Sequence, residues 1–167
     1  AQEAIAIGCI KYADLSHDRK NDYVFSFDRM LEDRGNTAVY LLYSLTRIRS
    51  IIRKLPLEKS MKEIADNFVT NNNFNFEHER EVKLAKFILN FADIIAEVAD
   101  DLYLHKLCAF LYQLCTVFSE FYEQCYVIQK RDGVEKVFEH RVILCEVTAM
   151  IMEKSLDILG IKTIEKM

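Results

Sequence analysis

The sequence predicts an all-α fold, a helical bundle that includes a short extended segment near residues 22–28. Few residues break helices, because the 167-residue chain contains only one proline and four glycines. Hydrophobic residues make up 51% of the chain and charged residues 29%, which is enough for one compact domain with a sizeable core. Long segments repeat apolar residues at the i, i+3, i+4 spacing that is typical of amphipathic helices.

The first third of the chain predicts two helices with the extended segment between them. The first helix covers residues 2–15 and gives way to polar residues at Ser16. In residues 22–28, aromatic side chains alternate with smaller or polar ones, which predicts an extended segment with one buried face. The next helix begins near Thr37, a capping residue, and Pro56 ends it because proline cannot donate a helical hydrogen bond.

The remaining residues predict further helices around one central helix. The central helix is predicted over residues 102–126. Its apolar side chains cover nearly half of its circumference, so we expect it to lie centrally in the bundle. Residues 129–139 are either a hairpin-like excursion or a loop, and Gly160 is suited to end the last helix. The other predicted helices cover residues 57–68, 77–91, 93–99 and 140–159.

Charge and cysteine content limit the classes of function. A net charge of −4 argues against non-specific binding of nucleic acid over the whole surface, although local basic stripes remain compatible with it. The five cysteines are an odd number without a C-x-x-C spacing, which predicts reduced thiols and a cytoplasmic setting. No apolar run is long enough to span a membrane. Residues 2–5 read as the middle of a helix, so we expect a piece of a longer protein.

The helix that begins near Thr37 carries a polar stripe about 130° away from its leucine and isoleucine stripe. Tyr40, Tyr43 and Arg47 are spaced i, i+3 and i+7, and Ser50 and Lys54 prolong the same line. Aromatic rings and cations in a row suit an unpaired nucleic-acid strand, because bases stack on rings and phosphates pair with cations. The alternative is that the tyrosines pack at the edge of the core and the cations form a solvated face.

A second aromatic pair lies near the end of the predicted central helix. Tyr122 and Tyr126 are four residues apart, at the rim of the apolar sector, where a ring can be half buried and half available to a ligand. With the first stripe, the pair would give aromatic contacts on two helices, as recognition of several unstacked bases requires. Simple packing of both rings against the core remains the alternative.

Metal binding and catalysis find no support in the sequence. His105 and Cys108 are three residues apart, but a zinc site needs four convergent donors and no second cluster supplies the others. No cysteine has a placed base, and the acidic residues from Glu77 to Glu81 read as the start of a helix. We therefore expect no catalytic residue and no metal site.

Two long segments carry a family resemblance. "IKYADLSHDRKNDYVFSFDRMLEDRGNTAVYLLYSLTRIRSI" and "RVILCEVTAMIMEKSLDILGIKTIEKM" resemble the carboxyl-terminal part of class I arginyl-tRNA synthetases, most closely the eukaryotic cytosolic branch. The resemblance covers essentially the whole chain. It implies that residues 1–34 form a connector helix and extended segment joined to a catalytic domain, and that residues 35–167 form a helical anticodon-binding domain of the DALR type.

The resemblance also implies an occupant for the aromatic stripes. Residues that match the first stripe face the anticodon stem and loop, those that match the second pair contact anticodon bases, and the residue that matches Met167 reaches the same site. The middle anticodon cytosine is then the main base read. Nearby cations that we expect to meet phosphates are Arg49, Arg53 and Lys54. The whole set that the resemblance implies for anticodon binding is Tyr40, Tyr43, Arg47, Tyr122, Tyr126 and Met167.

The sequence departs from the family pattern at several points. The HIGH and KMSKS motifs of class I active sites are absent, so we expect this chain alone not to activate arginine and to need no cofactor. The resemblance implies ATP with Mg²⁺ for the full-length enzyme. The D-A-L-R tetrad is replaced by residues 105–108, which keep only Leu107, and Lys166–Met167 replaces the customary terminal Arg–Met.

The implied partners are tRNA(Arg), the catalytic domain of the same polypeptide and a multi-synthetase complex, with neither membrane nor DNA among them. The rival hypothesis is a helical protein-interaction module of such a complex that makes no direct contact with RNA. A secreted, cytokine-like bundle is disfavoured by the odd number of cysteines. Gel shifts with cognate and non-cognate anticodons would separate the first two, since a protein-docking face should not distinguish anticodons.

Overall fold

The computed structural model describes residues 2–56, 60–71, 75–131 and 134–164. Helices dominate this part of the chain, which confirms the all-α prediction, and a two-stranded antiparallel sheet is inserted before the last helix. The elements are α1 (Gln2–Leu15), α2 (Phe27–Met30), α3 (Ala38–Arg53), α4 (Met61–Asn71), α5 (Glu79–Leu89), α6 (Phe91–Asp101), α7 (Leu104–Gln124), β1 (Ile128–Arg131), β2 (Val134–Val137) and α8 (Glu139–Ile158).

Helix α7 lies at the centre of the bundle, as its apolar sector predicts. It packs against α1, α3, α5, α6 and α8. A helix surrounded in this way must be apolar around much of its circumference, since each neighbour removes a different side from water. Its buried residues are Leu107, Cys108, Phe110, Leu111, Leu114, Cys115, Val117, Phe118 and Phe121.

Helix α3 begins and packs as predicted. The Thr37 hydroxyl oxygen accepts a hydrogen bond from the Tyr40 N–H at 3.2 Å, so Thr37 is the N-cap. The stripe that contains Leu41, Leu45 and Ile48 is buried against α1, α7 and α8. Because one face of α3 is used in this way, its opposite face is left for solvent or a ligand.

The extended segment differs from its prediction. Residues 22–26 lie outside helix and strand, but Phe27 begins the single turn of α2, where the Ser26 hydroxyl oxygen accepts from the Arg29 N–H. The prediction of a buried aromatic face is wrong, because the Phe25 and Phe27 side chains are 42% and 65% exposed. Their rings pack edge-to-face on each other with centroids 4.9 Å apart.

Helix α4 begins later than predicted, at Met61, and the predicted start at residues 57–59 lies outside the described residues. Ser60 supplies the reason. Its hydroxyl oxygen accepts from the Glu63 N–H at 3.3 Å, and the Glu63 carboxylate accepts from the Ser60 N–H at 2.8 Å. This reciprocal pair is a capping box, which fixes a helix start at the following residue.

A β-hairpin connects α7 to α8 and resolves the alternative left open for residues 129–139. The two strands pair antiparallel, with Ile128 opposite Val137. The Phe138 N–H donates to the Val127 carbonyl at 3.0 Å and closes the base of the hairpin. Residues 132 and 133, between the two strands, lie outside the described residues.

The last helix ends as predicted at Gly160, which adopts a φ of +67°. The chain then stays on the bundle for at least one more residue, because Ile161 is 3% exposed and packs next to Gly8 of α1. The Lys11 ammonium donates to the Gly160 carbonyl at 2.6 Å. All five cysteines are buried free thiols. Within the described ranges, no helix combines the length and hydropathy needed to cross a bilayer.

Candidate nucleic-acid interface

An open cleft lies between the carboxyl-terminal half of α3 and the end of α7, where the chain turns into β1. Its volume is about 730 Å³. It brings together side chains from both aromatic stripes, which are about 80 residues apart in sequence. The described residues that line it are Tyr43, Thr46, Arg47, Ser50, Ile51, Arg53, Lys54, Leu55, Tyr122, Tyr126, Val127 and Ile128.

The three tyrosines of the cleft differ in exposure. Tyr43 is 54% exposed and Tyr126 is 66% exposed, so both offer ring surface to a ligand. Tyr122 is half buried: its ring stacks on Phe118 with an interplanar angle of 14°. The Arg47 guanidinium lies over the Tyr122 ring, 5.3 Å from its centre, within the range of a cation–π contact. Tyr43 and Tyr126 are therefore the accessible rings, and Tyr122 holds Arg47.

The charged side chains among the described lining residues are all cations. Arg47, Arg53 and Lys54 are exposed along its α3 side. Among the described lining residues none carries a carboxylate. The described lining therefore carries net positive charge, although the whole chain has a net charge of −4. Rings next to such cations suit a ligand that combines flat bases with phosphates.

Arg49 lies on a different face of α3. Its Nε and Nη2 groups donate to Glu153, both at 2.7 Å, and its Nη1 group donates to Glu146 at 2.6 Å. Its hydrogen bonds to Glu153, together with the neighbouring Glu146 carboxylate, raise the pKa of Arg49 above its ordinary value. Arg49 therefore joins α3 to α8, and the structure does not bring it into the cleft.

Tyr40 and Met167 are also not among the described residues that line the cleft. The Tyr40 ring is half buried and meets the Tyr112 ring edge-on, with centroids 5.8 Å apart, so it packs beside the core and does not line the cleft. Met167 lies outside the described residues. Of the set expected from the sequence, the structure groups Tyr43, Arg47, Tyr122, Tyr126, Arg53 and Lys54.

The apolar part of the cleft was not expected from the sequence. Val127 and Ile128, which follow α7, contribute to the lining together with Ile51 of α3 and Leu55, which follows α3. Helical periodicity gives no sign of Val127 and Ile128, because these two residues lie after the helix has ended. They provide an apolar surface next to the accessible rings, where the flat face of a base can be removed from water.

The side chains that could bind a metal ion do not converge. Among the residues that the structure describes, no group of three or more His, Cys, Asp or Glu side chains lies close enough to hold a metal ion. Cys108 is fully buried, and its carbonyl lies 3.0 Å from the Tyr12 hydroxyl. Burial raises the pKa of the Cys108 thiol to about 12, which keeps it protonated at neutral pH.

Comparison with known families shows which family the chain belongs to. Residues 41–167 match the family described as "DALR anticodon binding domain". The chain belongs to this family. Residues 1–27 match a second family, "tRNA synthetases class I (R), catalytic domain". The DALR match contains the whole cleft.

Curated relatives match the entire chain. The cytoplasmic arginine–tRNA ligase of Gallus gallus is 53% identical over 172 residues, and that of Homo sapiens is 49% identical over 170 residues. Both alignments cover 100% of this chain and 25% of the relative. The chain thus spans about a quarter of the length of these relatives.

Solved structures share the fold of this chain. The arginyl-tRNA synthetase of Plasmodium falciparum superposes with a TM-score of 0.83 at 33% identity, covering 99% of this chain and 27% of that one. The Thermus thermophilus arginyl-tRNA synthetase superposes with a TM-score of 0.81 at 23% identity, covering 98% of this chain and 27% of that one. At 23% identity, the likeness to the Thermus thermophilus structure shows the fold alone. These findings confirm the resemblance to the carboxyl-terminal part of arginyl-tRNA synthetases.

Proposed function

We propose that this chain recognises the anticodon of tRNA(Arg) as the carboxyl-terminal part of a cytoplasmic arginine–tRNA ligase. The observation that carries the proposal is the cleft: accessible rings and cations lie side by side, without a carboxylate among the described lining residues, in a DALR domain. The names of the curated relatives supply the amino acid and the compartment.

The cleft suggests a division of labour among its side chains. Unstacked anticodon bases stack on the Tyr43 and Tyr126 rings, each contributing about 1–3 kcal/mol. Arg47 pairs with a phosphate from the position in which Tyr122 holds it. Arg53 and Lys54 supply further positive charge to the backbone of the loop. The family resemblance also implies a role in anticodon binding for Met167, which lies outside the described residues.

The rest of the proposed enzyme carries the chemistry. A catalytic domain preceding α2 would use ATP with Mg²⁺ to activate arginine, and binding of the anticodon here would place the acceptor end of the tRNA in that domain. The match of residues 1–27 to a class I catalytic domain supports this continuity. Membership of a multi-synthetase complex is a further proposal that follows from the eukaryotic resemblance.

The test is binding of fluorescent anticodon stem-loop transcripts, measured by anisotropy. One transcript carries a cognate arginine anticodon, and the other differs only in the middle anticodon base. We expect the cognate loop to bind about tenfold more tightly or better, because one unmatched polar contact costs about 1–3 kcal/mol. Equal affinities for the two loops would contradict anticodon recognition and favour the protein-interaction module.

A further inference from the structure

A buried ion pair lies directly behind the cleft. Arg141, in the first turn of α8, is 8% exposed, and Glu81 of α5 is fully buried. The Arg141 Nε group donates to one Glu81 carboxylate oxygen. A buried charge pair of this kind is stabilising only when its remaining hydrogen-bonding groups are also satisfied. The partners of those groups show what the pair holds in place.

Glu81 is held by the backbone just before its own helix. Its second carboxylate oxygen accepts from the Glu77 N–H at 2.7 Å and the His78 N–H at 3.0 Å, and His78 caps α5 in return. Burial opposes ionisation of Glu81, but the hydrogen bonds from Arg141 and these two N–H groups prevail and lower its pKa. Glu81 is therefore a fixed anionic anchor for Arg141.

The other end of Arg141 reaches the wall of the cleft. Its Nη1 group donates to the Tyr126 carbonyl at 2.8 Å. Its guanidinium also covers the Phe138 ring, 4.3 Å from the ring centre. The next carbonyl, that of Val127, accepts from the Phe138 N–H. Two consecutive carbonyls after α7 are thus fixed by the residues that begin α8.

This fixation matters because Tyr126 has left the helix. Cys125 ends α7 with an extended backbone, at φ −114° and ψ 97°, so helical hydrogen bonding no longer constrains the residue after it. The Tyr126 side chain is 66% exposed, and little packing holds its ring. The direction in which the ring projects therefore depends on how the Tyr126 backbone is held.

We infer that Arg141 is a positioning residue for Tyr126: anchored by Glu81, it fixes the Tyr126 backbone so that the ring stands open in the cleft and ready to stack on a base. The inference rests on the proposed anticodon-binding function. It assigns to Arg141 an indirect role, because the guanidinium is buried and Arg141 is not among the described residues that line the cleft. Lysine cannot replace it, since one ammonium lacks the planar fork that reaches Glu81 and Tyr126 in two directions.

The test is a double-mutant cycle on stem-loop affinity with Arg141→Lys and Tyr126→Leu. Arg141→Lys keeps the charge next to Glu81 but loses the fork. We expect it to weaken cognate binding about fivefold in the native background and to have no further effect when Tyr126 is leucine. The slope of log affinity against log salt should stay unchanged, because no phosphate contact is removed.

A matched control and a second variant guard against loss of folding. Arg80→Lys makes the same substitution in an arginine that pairs with Glu120 of α7 and does not touch Tyr126, so affinity should be unchanged. If Arg141→Lys does not fold, Phe138→Leu removes only the ring under the guanidinium and should weaken binding less, again only when Tyr126 is present. Thermal melting of each variant checks the fold.

The outcomes separate the inference from the function on which it rests. Equal losses from Arg141→Lys in both backgrounds would mean that Arg141 acts without Tyr126, and would overturn the inference. An unchanged affinity for Arg141→Lys, when Tyr126→Leu alone weakens binding, would overturn the inference and leave the proposed function intact. No effect of Tyr126→Leu alone would contradict the proposed stacking, and the inference with it.

Discussion

Two faces of α3 carry the same residue types and place them in opposite situations. Arg47 faces the cleft, where its guanidinium lies over a tyrosine ring and meets no carboxylate among the described residues. Arg49, two positions along, faces α8 and donates three hydrogen bonds to Glu146 and Glu153. The difference between the two arginines is whether a neighbouring helix places carboxylates beside them. Arg49 has such carboxylates and is used for packing, and Arg47 remains available to a ligand.

The tyrosines of α3 repeat the contrast. Tyr43 is more than half exposed at the cleft, whereas Tyr40 is half buried with its ring against Tyr112. The two arginines differ in the face of α3 on which they lie, whereas the two tyrosines share one stripe and differ in their position along it. Substitutions of the packed and the open residues should therefore change different measurements.

The largest expected difference is between the two tyrosines. Tyr43→Leu should weaken stem-loop binding by about tenfold or more, because it removes a stacking surface worth about 1–3 kcal/mol, and should leave the melting temperature nearly unchanged. Tyr40→Leu should do the reverse, lowering the melting temperature with little loss of affinity. Anisotropy measures the affinity and thermal melting measures the stability of the same preparations. A larger loss of affinity for Tyr40→Leu than for Tyr43→Leu would contradict the contrast between the two tyrosines.

The next effect is on salt dependence. Arg47→Ala should weaken binding about tenfold and flatten the slope of log affinity against log salt by about 0.7–0.9, the change expected for one lost phosphate contact. Titrations at several salt concentrations give both values. Arg49→Ala is the matched control, with the native slope expected. Identical slopes for the native chain and Arg47→Ala would remove Arg47 from the phosphate contacts.

A smaller effect is expected in stability, this time at Arg49. Arg49→Ala should lower the free energy of unfolding by about 1 kcal/mol, since a partly exposed ion-pair network contributes modestly once solvent screening is considered. Urea denaturation measures it. Arg47→Ala should change the unfolding free energy by less than about 0.5 kcal/mol, as an exposed substitution does. A greater loss for Arg47→Ala would mean that the cleft arginine is structural.

The smallest effect concerns pH. The described lining residues of the cleft include neither a histidine nor a carboxylate. Stem-loop affinity should therefore change by less than about twofold between pH 6 and pH 8, the range in which histidine ordinarily titrates. A steep pH dependence would show that a group outside this lining controls binding.

Local sequence patterns predict much of the fold and part of the site. The apolar stripes of α3 and α7 and the caps at Thr37 and Gly160 follow from helical periodicity and turn chemistry. The same periodicity puts Tyr43 and Arg47 on one side of α3, where the structure has them. These features depend only on neighbours within a few turns of the same helix.

Other features depend on residues far away in sequence. Arg49 pairs with carboxylates about 100 positions later. Helical periodicity puts it on a different side of α3 from Arg47, but does not show that carboxylates of α8 lie on that side. The rings near residue 25 alternate as in a half-buried strand, yet the capping serine at position 26 turns the chain into α2. The one local sign of the Glu81 anchor is its position three residues after His78, where a capping-box glutamate occurs.

The most direct test of the central claim, that anticodon bases lie in the cleft between α3 and the end of α7, is photo-crosslinking. A stem-loop with 4-thiouridine in the anticodon loop is irradiated with the chain, and the joined peptides are identified by mass spectrometry. A transcript with the same base paired in the stem is the control. The account predicts loop-specific crosslinks within residues 43–55 and 122–128. Crosslinks confined to other surfaces, or equal for both transcripts, would contradict it.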